Sequence, residues 1–264
     1  MDLGLADKVA LVGGGGRGLG RATAEVLATE GAAVAIFGRD MDALDAAAAE
    51  LTDRTGARIL PIQADVTSAA DCERVVATTV EQLGGLDVLV TNMGGPPYGG
   101  AADRTDEEWQ RAWELVTLSV IRLCRAAAAR MVRHGGGSIV NITTPGVHQV
   151  IPATALSTVA RMATTGFAKY LATELAPSGV RVNNVLPGWI ATRRVEELAA
   201  AEAAERGLAV EAINEEQTAA IPIGRFGEAA EVADAIAFLA SERSSYITGV
   251  NLRVDGGWST ATAL

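Results

Sequence analysis

The chain has 264 residues, 49% of them hydrophobic and 20% charged, the composition of a folded protein with ample length for a sizeable core. Its formal net charge of −10 argues against nucleic acid or an anionic membrane as a partner. Two well-separated cysteines, Cys72 and Cys124, and two histidines exclude a disulfide framework or a metal cluster; with no cationic-apolar leader and no long apolar run, a cytoplasmic protein is expected.

In chain order, short apolar runs alternate with longer Ala-rich helical patterns, the signature of a parallel sheet covered on both faces. Residues 9–12 read as a buried strand running into four consecutive glycines at 13–16, after which Gly18 and Gly20 open a helix over 18–30. A second strand at 32–38, a helix at 41–54, a third strand at 57–63 and a helix at 71–83 follow. The fourth strand, 86–91, leads into the loop NMGGPPYGG, and a long helical region runs from Thr105 to about Arg133. The fifth strand is 138–143, the next helix 153–176, and the sixth strand, 180–186, stops at Pro187 and Gly188. Residues 193–220 are acidic and Ala-rich without strand character and read as an insertion; a helix at 228–241 and a strand at 250–254 close the pattern. The expectation is an α/β fold with one domain over 1–264: a doubly wound, seven-stranded parallel sheet with a helical insertion at 193–220.

Folds of this kind bind ligands past the carboxyl ends of their strands. The first such end, KVALVGGGGRGLG, couples a strand, a glycine turn and a helix N-terminus. Glycine lets the backbone approach closely, and the first-turn N–H groups point at an anion. A glycine pattern alone is equally compatible with a tight turn that binds nothing.

The other strand ends make the pattern specific. The glycine stretch resembles the T-G-x-x-x-G-x-G motif of the short-chain dehydrogenase/reductase family, with Gly14, Gly18 and Gly20 in place and Gly13 where Thr is usual. Asp65-Val66-Thr67 resembles its D-V-T, and Thr91-Asn92-Met93-Gly94 stands where N-N-A-G is expected, with two departures. Pro187-Gly188-Trp189-Ile190-Ala191-Thr192 fits P-G-x-x-x-T, and Ile247-Thr248-Gly249 and Val254-Asp255-Gly256-Gly257 fit the C-terminal signature. The resemblance covers essentially the whole chain and includes proteins of the 3-oxoacyl-acyl-carrier-protein reductase kind.

The resemblance implies a Rossmann fold and a nicotinamide dinucleotide held by Gly14, Arg17, Gly18, Leu19, Gly20, Arg39, Asp65, Val66, Asn92, Gly94, Pro187, Gly188, Ile190 and Thr192. It places Asp65 at the adenine and Thr192 at the nicotinamide carboxamide. It also implies a small-molecule substrate, a lid at 193–220 and self-association as a dimer or tetramer. NAD enzymes carry an acidic residue at the end of the second strand. Here that point reads Phe37-Gly38-Arg39-Asp40, and Arg17 lies in the glycine turn. Two guanidinium groups suit a 2′-phosphate, so NADP(H) is preferred over NAD(H), unless both are solvated surface arginines.

The family's proton-transferring Tyr-x-x-x-Lys pair is missing. Aligned by the flanking pattern, the Tyr position falls on Ser157, the Lys position on Arg161, the Ser position on Thr144 and the Asn position near Val116. The only tyrosines are Tyr98, Tyr170 and Tyr246 and the only lysines Lys8 and Lys169, so no shift of alignment restores the pair. A serine hydroxyl is a poor acid near neutral pH, and an arginine neither gives nor takes a proton. Arg161 sits one turn from Ser157 on the same helix face, placed to hold ribose hydroxyls or an anionic substrate. Two substitutes present themselves: His148, on the loop after the fifth strand, and Tyr98, on the loop after the fourth. Each is also readable as an ordinary loop residue. Arg193 and Arg194 follow Thr192 directly and could face an acidic substrate group or the diphosphate. Two readings stay open: an NADP(H)-dependent oxidoreductase acting on a carbonyl or alcohol with a non-standard proton-delivery set, or a non-redox enzyme (lyase, isomerase or cyclase) or cofactor-binding non-catalytic protein on the same scaffold.

Overall fold

The computed structural model describes residues 2–262. Among them are seven strands: β1 (Val9–Gly13), β2 (Ala33–Gly38), β3 (Ile59–Gln63), β4 (Val88–Thr91), β5 (Gly137–Ile142), β6 (Val180–Pro187) and β7 (Asn251–Val254). They form one parallel sheet in the order β3-β2-β1-β4-β5-β6-β7. The order reverses between β1 and β4, which opens a crevice at their carboxyl ends. This is the doubly wound, seven-stranded parallel sheet expected from the alternating runs, and the Rossmann fold that the resemblance implies.

Alternate strand residues feed two separate cores. Ala10, Val12, Val34, Ile36, Val90 and Val140 pack under α1 (Gly18–Thr29), α2 (Met41–Thr55) and α9 (Ala229–Ala240). Leu11, Ala35, Phe37, Leu89, Ile139 and Val182 pack under α3 (Ala69–Leu83), α5 (Ser119–Met131) and α6 (Ala155–Leu175). Burial on both faces is why these strands are continuous apolar runs.

The long helix expected over 105–133 is interrupted. It begins as α4 (Asp106–Ala112) on a Thr105–Glu108 capping box, widens into a π-turn (Trp113–Leu118) and resumes as α5. Hydroxyls tie this turn to α6: Thr117 Oγ1 donates to Ala160 O (2.9 Å) and Thr164 Oγ1 to Val116 O (3.3 Å). These partners are some 45 residues away in sequence, so the local helical pattern carries no sign of the widening. The insertion folds as two helices, α7 (Arg193–Arg206) and α8 (Val210–Ala219), joined over buried Ala199, Ala203 and Ile213. No helix among the described residues is long and apolar enough to cross a membrane.

One half-buried charge holds the β6 side together. Arg181 of β6 donates to Leu239 O (2.6 Å), Ala240 O (3.2 Å), Ser241 O (2.9 Å) and Ser244 Oγ (2.6 Å), closing the carbonyl end of α9. Arg181→Met keeps the stem but strands these acceptors, and is expected to lower unfolding free energy by about 2–3 kcal/mol. The check is a fall in the denaturant midpoint at unchanged slope.

Candidate active site

Three glycines at the end of β1 are required for three different reasons. Gly14 has φ 63°, and a Cβ there would lie 2.9 Å from Asn92 Nδ2, so this turn and the loop after β4 touch through backbone and amide alone. A Cβ on Gly20 would lie 2.5 Å from Gly13 O and nearer still to Gly14 O, so α1 packs flat against the turn. Gly18 has φ 58° and nothing within 4 Å of its Cβ position, so it borders open space. Arg17 precedes α1 without capping it, and the first turn of α1 contains no acidic residue. Leu19 packs on the core and leaves its N–H among the first-turn donors. A cleared turn with uncapped helix donors fits the diphosphate of a dinucleotide.

At the far end of the crevice the two arginines part company. Arg17 forms an ion pair with Asp40, which also caps α2 by accepting from Ala43 N (3.1 Å). Arg39 is exposed and its charge faces Asp65. Thr67, donating its backbone N–H (2.9 Å) and its hydroxyl (2.8 Å) to Asp65 Oδ1, holds that carboxyl below the usual carboxylate range. Val66 packs on the core under α3, α5 and α6, and its carbonyl accepts from Cys72 Sγ (3.3 Å).

The near end gathers the residues expected at the nicotinamide. Gly188 approaches β7 so closely that a Cβ would meet Asp255 Cα at 2.7 Å, and its N–H donates to Val254 O (3.0 Å). Ile190 is buried and bridges to Gly227, which fixes the turn before Thr192. Thr192 begins α7 with no cap hydrogen bond from its side chain. Gly94 is exposed with open space around its Cβ position.

Arg161 Nη1 donates to Ser157 Oγ (2.8 Å) and Nη2 reaches Met93 O (3.4 Å), so the guanidinium bridges α6 and the loop after β4. The 157–161 pairing was legible from helical spacing, whereas the Met93 contact depends on how β4 meets α6. Thr144 accepts from Gly146 N (3.3 Å), and a Cβ on Gly146 would touch Thr158 Oγ1 at 2.7 Å and Thr144 Cγ2 at 3.3 Å. The loop bearing Thr144 is thereby pressed against the first turn of α6, where Ser157 sits. Val116 is buried in the π-turn and offers only its carbonyl, already taken by Thr164.

The two proposed substitutes lie on different sides. The Tyr98 loop is stitched to the entry of α6: Gly99 N donates to Ala153 O (2.7 Å), and Arg104 Nη2 donates to Tyr98 O (2.8 Å). His148 is half-buried and turned toward β7, with Nε2 3.5 Å from Asn251 Nδ2. Its neighbour Gln149 accepts from Ser259 Oγ (3.1 Å) and Thr260 N (3.2 Å) of the C-terminal segment. Asn251 is the half-buried end of a row of otherwise buried polar side chains that strand-by-strand reading did not single out; the available signal was Asn at three register-matched positions of the strands. Arg193 pairs with Glu197 on the surface (2.9 Å), and the Arg194 side chain lies outside the described residues. Among the described residues no group of three or more His, Cys, Asp or Glu could hold a metal ion.

Comparison with known proteins places this site in context. The family described as enoyl-(acyl carrier protein) reductase matches over residues 14–259. The short-chain reductase protein NovJ of Streptomyces niveus is 36% identical over 251 residues, 95% of this chain and 94% of that protein. The 3-oxoacyl-[acyl-carrier-protein] reductase of Synechocystis sp. is 35% identical over 255 residues, 96% of this chain and 97% of that protein. The solved L-sorbose reductase of Gluconobacter frateurii, complexed with NADPH and L-sorbose, superposes with a TM-score of 0.94 at 33% identity, covering 98% of this chain and 99% of that one.

Proposed function

We infer the function of this chain from its family, because it belongs to the short-chain dehydrogenase/reductase family of oxidoreductases. The reaction proposed is reversible hydride transfer between NADP(H) and a carbonyl or alcohol group of a small molecule, with proton delivery that does not use a Tyr-Lys pair. The observation that carries it is the intact cradle: Gly14, Gly18 and Gly20 keep the clearances and the uncapped helix start that a diphosphate needs. The nicotinamide, when bound, supplies or takes the hydride. Thr192 and the backbone around Ile190 would hold its carboxamide, and Arg161 would hold the adjoining ribose through N–H donors beside Met93 O. Thr144 and Ser157 would orient the substrate oxygen by hydrogen bonds. Neither hydroxyl is acidic enough to deliver a proton near neutral pH, and Arg161 cannot, so His148 and Tyr98 are the side chains proposed for that end of the reaction.

The preference for NADP(H) rests chiefly on Arg39, because Asp40 already neutralises Arg17. Arg39→Ala is expected to weaken NADPH binding by about tenfold or more while changing NADH binding by no more than about twofold, read by fluorescence titration of each. Equal weakening of both removes the preference. Helices α7 and α8 would cover the substrate. Trp113, Val159 and Met162, exposed on the π-turn and on α6 that packs against it, support self-association as a dimer or tetramer. The buried free thiols of Cys72 and Cys124 suit the reducing cytoplasm.

A second reading keeps the cofactor and discards the redox step, as in a lyase, isomerase or cyclase. The Ser157–Arg161 hydrogen bond and the buried Val116 favour it, since together they replace the family's proton path. A carbonyl and alcohol panel with NADPH, followed by absorbance of the reduced nicotinamide and by product mass, separates the two. Product formed with no net change in the nicotinamide would sink the oxidoreductase reading.

A further inference from the structure

Four adjacent strands each contribute one polar side chain to a single row. Thr91, Asn141, Asn184 and Asn251 stand in register across β4, β5, β6 and β7. Thr91 Oγ1 donates to Asn141 Oδ1 (2.8 Å), Asn141 Nδ2 to Asn184 Oδ1 (3.1 Å), and Asn184 Nδ2 to Asn251 Oδ1 (2.8 Å). Asn251 Nδ2 then faces His148 Nε2 at 3.5 Å. The first three members are 1%, 0% and 2% exposed, so these three have no water to fall back on and each depends on the next, while Asn251 and His148 at the open end are half-buried.

The links all run one way, from Thr91 toward His148. An amide offers its oxygen on one side and its NH₂ on the other, so turning one Asn would set oxygen against oxygen and NH₂ against NH₂. The closed end supports the observed sense. Cys124 Sγ lies 3.6 Å from Asn141 Oδ1, and burial pushes that thiol's pKa far up, so the sulfur keeps its proton and acts as a donor. Thr91 and Cys124 both donate to the same amide oxygen, and Asn141 is left with its NH₂ pointing along the row.

The geometry points to Asn251 as a positioning residue that holds the His148 ring in the tautomer with its proton on Nδ1. A neutral imidazole has one N–H and one bare nitrogen. Asn251 presents an N–H to Nε2, which must therefore be the bare one, and Nδ1–H becomes the ring's donor. Applied to the function proposed above, on which this step rests, His148 would meet a substrate oxygen as a neutral hydrogen-bond donor. Such a donor stabilises charge developing on that oxygen without itself giving up a proton, which narrows the proton source proposed above from the pair to Tyr98. Asn251 belongs to none of the sequence motifs; its role comes from the register of β7 against β6.

The chain has two histidines, so ring nitrogens labelled with ¹⁵N give two sets of signals, and a His134→Gln variant assigns them. In the pH range where imidazole is neutral, long-range ¹H–¹⁵N spectra of the parent are expected to show His148 protonated on Nδ1 and bare on Nε2. Asn251→Leu is expected to move the ring to Nε2–H, the form free histidine prefers. A parent spectrum showing Nε2–H overturns the proposal, because the row would then run the other way. So does a folded Asn251→Leu protein whose tautomer is unchanged. The parent spectrum decides the polarity whether or not that variant folds. It is also indifferent to whether the nicotinamide changes redox state, so the tautomer and the oxidoreductase reading fail separately.

Discussion

Gly20→Ala is expected to abolish NADP(H) binding and to lower unfolding free energy by about 3 kcal/mol or more. The added methyl meets backbone, not a side chain that could swing away: the carbonyl oxygens of Gly13 and Gly14 stand inside van der Waals distance of it. Relief requires α1 to lift off the turn. Lifting α1 moves Ala24, Leu27 and Ala28, all buried at 2% exposure or less, away from the core they share with α9. It also carries the first-turn N–H groups away from the anion they would hold. Gly18→Ala is the matched control. Its φ of 58° costs an alanine about 1 kcal/mol, but its Cβ meets nothing, so the fold should stand while the methyl crowds the space where a phosphate would lie. Denaturant midpoints and NADPH titrations on the two variants therefore part: both lose affinity, and only Gly20→Ala loses much stability. A Gly20→Ala protein that binds NADPH like the parent would show that the turn is not the cradle.

The fold was legible because its central strands are buried on both faces, which writes them as apolar runs, and because Gly and Pro mark many of the turns. The strand ends then identified the crevice, since in a doubly wound sheet function collects where strands stop. What could not be read depends on pairings between segments distant in sequence. The π-turn is held from α6 by Thr164. The Arg17–Asp40 pair joins the glycine turn to the cap of α2, so it divides two arginines that the sequence presents as equals. The contact of Arg161 with Met93 O needs β4 beside α6, and the Asn row needs the register of four strands. The loss of the Tyr-Lys pair, by contrast, was visible at once, because two side chains four residues apart on a helix need no tertiary information.

That loss can be reversed by mutation, and the double variant Ser157→Tyr/Arg161→Lys is expected to raise the rate of carbonyl reduction by NADPH roughly 10²- to 10⁴-fold, the usual worth of general acid catalysis. The helix already brings the two positions together, with Arg161 Nη1 2.8 Å from Ser157 Oγ. A phenol has a pKa of about 10, and a cation beside it brings the value down toward neutrality, so it holds a proton at pH 7 and can still release it in the transition state. Lysine is the better partner for that arrangement, since its compact ammonium frees the space that the planar guanidinium fills between Ser157 and Met93 O. Thr144, pressed against the same turn of α6, keeps its hydroxyl for the substrate oxygen. Arg161→Lys alone supplies no acid and should gain nothing. Ser157→Tyr alone supplies a phenol crowded by the guanidinium and should gain little, so the effect belongs to the pair and shows as strong non-additivity in a double-mutant cycle. The measurement is kcat/KM across a carbonyl panel, with NADPH affinity followed in parallel. If the double variant folds and binds NADPH like the parent yet gains no rate, the missing acid was never what limited hydride transfer. The substrate pocket would then be shaped for a different reaction, and the Ser157–Arg161 pair would be the working group of that reaction, not the remnant of a reductase.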